Sequence, residues 1–156
     1  MISGAPSLDN QHSMNLLTRD ELSNKYGFSV DIPLLLVTFH PVTLEYEQTK
    51  WHIEELLAAL DDAEMSVVFT MPNADTNGRI IRRLIDDYVQ DNAAAYAVDN
   101  LGTRDYFSFM NIAVAMVGNS SSGIIESPSF KLPVVNIGTR QHGRVKCANI
   151  IDVDYN

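Results

Sequence analysis

Chemistry in this sequence concentrates in the run Val117-Gly118-Asn119-Ser120-Ser121-Ser122-Gly123-Ile124-Ile125-Glu126, which passes from a strand-like stretch into a helical one. Small residues let a backbone come close to a ligand. Open N–H groups at a helix start, with the helix dipole behind them, favour an anion. The hydroxyls of Ser120 and Ser121 add further donors. A diphosphate suits such a cradle, although the same pattern also describes a serine-capped helix with no ligand. Glu126, a turn further on, has the acceptors to hold the vicinal hydroxyls of a ribose. Taken singly, a solvated helical glutamate is the commoner case.

Other polar residues stand where short apolar runs end. His40 closes Leu34-Leu35-Leu36-Val37-Thr38-Phe39 and precedes Pro41. There it can donate to a phosphate or to a departing oxygen, or be satisfied within its own loop. Asn73 follows Pro72 after another apolar run, where an Asx-type turn is the plainer reading. Arg140 and Arg144 lie in Asn136-Ile137-Gly138-Thr139-Arg140-Gln141-His142-Gly143-Arg144, and either guanidinium can meet phosphate as a fork. The four histidines, His12, His40, His52 and His142, are scattered, and Cys147 has no partner at ligand spacing, so no metal site is expected. Neither Gly-x-Gly-x-x-Gly nor Gly-x-x-x-x-Gly-Lys-Ser/Thr occurs, so no dinucleotide fingerprint or Walker loop is present. No cofactor is expected.

These residues need a scaffold that gathers strand ends. Apolar runs at Leu34–Phe39, Ser66–Thr70, Ala94–Val98, Val114–Gly118, Val134–Ile137 and Ile150–Val153 read as strands buried on both faces, the pattern of a parallel sheet. Between them, Ile53, Leu56, Leu57 and Leu60 form one helical face. Ile80, Ile81, Leu84, Ile85 and Tyr88 form a second, with Asp75 or Thr76 placed to cap it. Further helices are expected over Thr103–Met110, from Ser120–Ser122 to near Pro128, and as a short piece from Thr18 to Tyr26. Trp51 is expected to serve packing. The alternation predicts an α/β fold, a Rossmann-like doubly wound parallel sheet, whose strand-end loops share one edge. Residues 1–30 read as a lead-in linker and residues 31–156 as the nucleotide-binding domain. With no helix after the last strand, both ends are expected to be cut from something longer.

Composition narrows the partners. The net charge of −9 argues against nucleic acid, which demands many Lys and Arg on phosphates. A mononucleotide carries few charges and is not excluded. A single cysteine rules out an intrachain disulfide and fits a reducing compartment. The longest apolar run, Ile32–Phe39, is too short to span a bilayer, and no signal-peptide pattern opens the chain. A cytoplasmic location without a membrane partner is expected.

The serine run through Ser127-Pro128, with Leu132-Pro133-Val134-Val135-Asn136-Ile137-Gly138 and Arg140-Gln141-His142-Gly143-Arg144, closely resembles the UDP-N-acetylglucosamine 2-epimerases. Thr38-Phe39-His40-Pro41-Val42-Thr43 fits the same family, and Ser3 to Asp9 looks like its interdomain junction. His40-Pro41 and Asn119-Ser120-Ser121-Ser122 resemble the hydrolysing branch, where the other branch tends to have His-Arg and Asp-Ser-Gly-Gly. The resemblance implies one half of a two-domain, glycosyltransferase-B-like architecture. It implies a parent enzyme that turns UDP-N-acetylglucosamine and water into N-acetylmannosamine and UDP for sialic acid synthesis. Related enzymes act on diacetamido sugars. By the same resemblance, His40 contacts phosphate near the leaving oxygen, Ser120 and Ser121 hold the diphosphate, Glu126 the ribose, and Asn73 and Arg140 complete the UDP pocket. The family's acid–base carboxylates lie largely in an amino-terminal half, so this chain alone is expected to bind UDP weakly and turn over nothing. The implied partners are UDP, UDP-N-acetylglucosamine and that other half, with a homo-oligomer left open. From the residues alone, a glycosyltransferase half and a non-catalytic nucleotide-sugar module stay open as alternatives.

Overall fold

The structure, a computed structural model, describes residue 8, residues 14–72 and residues 76–156. Six strands form one parallel sheet: β1 (Leu34–Thr38), β2 (Ser66–Thr70), β3 (Ala95–Val98), β4 (Ala115–Gly118), β5 (Val134–Ile137) and β6 (Ile150–Val153). Their order is β3-β2-β1-β4-β5-β6, with every neighbouring pair parallel. This is the doubly wound order, and its switch point lies between β1 and β4. Strand alternation divides the core in two, because successive side chains point to opposite faces. Leu35, Val37, Val67 and Phe69 face one side, while Leu34, Leu36 and Val68 face the other.

Helices cover both faces. On the first lie α2 (Thr49–Asp61) and α3 (Thr76–Asp91), the former burying the expected stripe Ile53, Leu56, Leu57 and Leu60. On the second lie α1 (Arg19–Tyr26) and α4 (Gly102–Ile112), which bury Leu22, Phe107, Phe109 and Met110. Thr18 caps α1 in a capping box: its hydroxyl accepts from Glu21 N–H, and the Glu21 carboxylate accepts from Thr18 N–H at 2.7 Å. Gly27, at φ 85°, ends the helix in the left-handed conformation. Asp105 ties α1 to α4 by accepting from Lys25 Nζ at 2.5 Å and Tyr26 Oη at 2.6 Å.

The strands match the sequence pattern to within a residue at each end. The helix expected from the serine run to Pro128 is instead a single turn, α5 (Ser122–Ile125), followed by a 3₁₀ turn at Ser127–Phe130. Pro128 brings no N–H and its ring crowds the preceding turn, so the α-helix stops there. Trp51 packs at the surface rather than in the core. It is 42 % exposed, its indole N–H donates to Glu55 at 3.0 Å, and its ring leans on Tyr155. On the first face, beside α2, an open apolar groove of about 540 Å³ runs past Leu56, Ala59, Val117, Val135, Ile137 and Tyr155.

Candidate functional site

The carboxyl ends of β1 and β4 meet at the switch point. Gly118 closes β4 at φ 132°, and a Cβ there would sit 2.0 Å from the Thr38 carbonyl oxygen. Only glycine lets the two backbones approach this closely. Asn119 follows with no exposed surface. Its N–H donates to Thr38 O at 3.1 Å. Its carboxamide bonds both main-chain groups of His40: Oδ1 accepts from His40 N–H, and Nδ2 donates to His40 O, each at 2.8 Å. Arg140 Nη1 and Gln141 Nε2 both donate to the Asn119 carbonyl, at 3.0 and 2.8 Å. The loops after β1, β4 and β5 therefore converge on one residue.

The serine loop begins here. Ser120 is nearly buried, and its Oγ accepts from Ser122 N–H at 3.3 Å. Gly123, Ile124 and Ile125 donate back to Ser120 and Ser121 carbonyls, which closes the turn. With α5 only four residues long, its dipole is small. Loop amides and hydroxyls are then what this segment offers to an anion, more than a helix field. Gly123 is packed tightly, a Cβ there lying 3.0 Å from Val134 Cγ1, so α5 lies directly on β5.

Glu126 is buried rather than solvated, at 8 % exposure. It lines a pocket of about 430 Å³ with Ser122, Tyr106, Thr70, the loop Asp99–Leu101 and the first residues of α4, Gly102 and Thr103. That volume lies within the range of small-molecule sites, roughly 300–1,000 Å³. The Tyr106 hydroxyl is buried beneath the serine loop. Burial raises its phenol above the ordinary value, against the lowering pull of the Ser122, Thr38 and Ser120 hydroxyls around it. Asp99, at the loop's start, pairs with Arg82 of α3.

Arg140 stands on the other side of the switch point. Its pKa is lowered, first by burial and then by the nearby Arg144 charge, yet a guanidinium keeps its proton at neutral pH. Next to it, Glu45 accepts from the hydroxyls of Thr139 and Tyr155, the latter at 2.7 Å. These bonds hold the Glu45 carboxyl below its usual value. The Tyr155 ring stacks flat on His52 at 3.4 Å and fills the space where a Gly138 side chain would be. His52 is buried, and burial depresses its pKa.

Of the residues singled out in the sequence, His40, Ser120, Ser121, Glu126 and Arg140 lie along one edge of the sheet. Asn73 lies outside the described residues, as do Asp75 and most of the expected junction from Ser3 to Asp9. Asn119, Tyr106 and Glu45 were not singled out. Asn119 alone had a signal, as the one carboxamide between the strand-ending glycine and the serines. Among the described residues no three His, Cys, Asp or Glu side chains gather as a metal site, and no helix is long and apolar enough to cross a membrane.

The family model described as UDP-N-acetylglucosamine 2-epimerase matches residues 1–156. The chain is 46% identical, over 92% of its length, to the GDP/UDP-N,N'-diacetylbacillosamine 2-epimerase (hydrolyzing) of Campylobacter jejuni, and covers 38% of that protein. It is 36% identical, over 97% of its length, to the UDP-N,N'-diacetylbacillosamine 2-epimerase (hydrolyzing) of Legionella pneumophila, covering 40% of it. The chain thus spans about two-fifths of the curated relatives it matches. Among solved structures, the S. aureus MnaA–UDP complex superposes with a TM-score of 0.67 at 16% identity, over 90% of this chain and 38% of that one. The E. coli heptosyltransferase WaaC superposes with a TM-score of 0.57 at 12% identity, over 86% and 40%. At such identities the likeness is one of fold: a Rossmann-like half of the glycosyltransferase-B type.

Proposed function

Because the chain belongs to the UDP-N-acetylglucosamine 2-epimerase family, we propose that it is the UDP-binding half of a hydrolysing 2-epimerase acting on a UDP-linked 2-acetamido sugar. The observation that carries this reading is the buried Glu126 in a ligand-sized pocket that runs up to the serine loop. In the proposed pose the nucleoside occupies that pocket, with ribose hydroxyls donating to Glu126 and the base against the segment Asp99–Thr103. The diphosphate then lies at Ser120 and Ser121, within reach of His40 and Arg140. Asn73, outside the described residues, is proposed as a further UDP contact.

The chemistry follows from that placement. Loss of the C2 proton and departure of UDP leave a glycal-like intermediate, and water adds to it with the opposite configuration at C2. Negative charge grows on the departing β-phosphate oxygen. Preorganised donors aimed at that charge lower the barrier. Arg140 and the serine loop supply them, and His40 can donate to the leaving oxygen. The carboxylates that move the C2 proton belong, in this proposal, to the remaining three-fifths of a protein of the relatives' length. The 156-residue chain alone then binds UDP and performs no epimerisation.

UDP-N-acetylglucosamine, feeding sialic acid-type synthesis, is the first substrate to test. A second reading, a diacetamido sugar, is favoured by the 46% identity to the Campylobacter enzyme. The test of UDP binding is thermal unfolding in UDP, GDP and NAD. Ligand at 100 times its dissociation constant adds about 2.7 kcal/mol, roughly 5–10 °C for a domain of this size. A rise specific to UDP and lost in Glu126→Ala supports the reading. A shift that survives Glu126→Ala, or no shift in a folded sample, counts against it.

A further inference from the structure

Asn119 is fully buried and spends its side chain entirely on another residue's main chain. The carboxamide offers an acceptor and a donor side by side in one plane, matched to the N–H and C=O of His40. A carboxylate has no donor for the His40 carbonyl, and a hydroxyl does not span both groups. The Asn119 carbonyl meanwhile accepts from both Arg140 and Gln141. The structure assigns Asn119 as a positioning residue: its side chain fixes His40 to the serine loop, whose main-chain carbonyl at the same residue holds Arg140, and so sets the spacing of His40 in the anion site.

This assignment rests on the UDP reading above, but its local part is testable without ligand. In amide hydrogen exchange of the 156-residue chain, the His40 N–H is protected in the wild type. Asn119→Ala speeds its exchange at least about tenfold, the cost of losing one buried hydrogen bond, while Leu36 and Met116 in the strand centres stay protected. An unprotected His40 amide in the wild type, or unchanged exchange in the variant, overturns the assignment whether or not UDP binds.

The functional part is read by calorimetric titration with UDP. Asn119→Ala weakens binding about tenfold, and the double variant with His40→Ala binds no more weakly than His40→Ala alone. Such non-additivity marks residues acting as one unit. Additive losses overturn the assignment and leave the UDP reading standing, whereas a wild-type chain that ignores UDP sinks that reading. Asn119→Asp is the variant to use should the alanine variant fail to fold. Its carboxylate lacks the donor near pH 7, so its affinity relative to wild type recovers as the pH falls and the protonated acid regains one. A ratio that stays flat across pH overturns the assignment.

Discussion

Gly118→Ala tests the architecture on which the site depends. The new Cβ would lie 2.0 Å from Thr38 O and 2.8 Å from Thr38 C, both backbone atoms of the central strand. No rotamer change can relieve that contact, so β1 and β4 must part by about 1 Å to restore van der Waals separation. The φ of 132° is a second penalty, because a side chain in that region costs about 1–3 kcal/mol. Separation also lengthens the Asn119 N–H bond to Thr38 O, now 3.1 Å, worth about 1 kcal/mol net. Together these predict a loss of about 3 kcal/mol, or about 10 °C in melting temperature for a chain of this length. Urea unfolding with an unchanged m-value is the assay. A loss below about 1 kcal/mol would refute the argument that the switch point is closed by backbone contact.

Other outcomes follow from single contacts. His52 has a depressed pKa through burial, so the unfolded chain takes up its proton first as the pH drops. Stability is complete above about pH 6.5 and declines below it, by at most about 1.4 kcal/mol per pH unit. His52→Phe, which keeps the stack on Tyr155, should remove that acid slope in pH-dependent urea unfolding. Asp105→Ala removes the acceptor shared by Lys25 and Tyr26 and should make α1 the first site of limited proteolysis while the sheet stays resistant. Tyr106→Phe deletes the hydroxyl beneath the serine loop; weaker UDP binding with little change in melting temperature is the expected pair of readings.

Periodicity made the sheet legible, because central strands buried on both faces leave uninterrupted runs such as Leu34–Thr38 that nothing else in the chain imitates. The serine run was legible as a helix start but not in its length: the expected helix to Pro128 is one α-turn and a 3₁₀ turn, because the effect of Pro128 on the turn before it depends on how far the helix would otherwise have run. Glu126 looked like a surface residue. Its burial comes from Tyr106 and the segment Asp99–Thr103, twenty or more residues earlier, which the parallel crossover brings alongside. Glu45 had no local signal at all, because its partners Thr139 and Tyr155 lie about a hundred residues away. Long-range polar pairing of this kind leaves no period in a sequence.

Tyr155 ends that chain of contacts, and it has an optical consequence. Trp51 is the only tryptophan in the sequence, and its ring lies 6.2 Å from that of Tyr155. The same phenol donates to Glu45, which in turn holds Thr139 beside Arg140. An indole's emission responds to nearby charge and polarity, so intrinsic fluorescence excited at Trp51 becomes a built-in, label-free gauge of whether the arginine loop is fastened or loose.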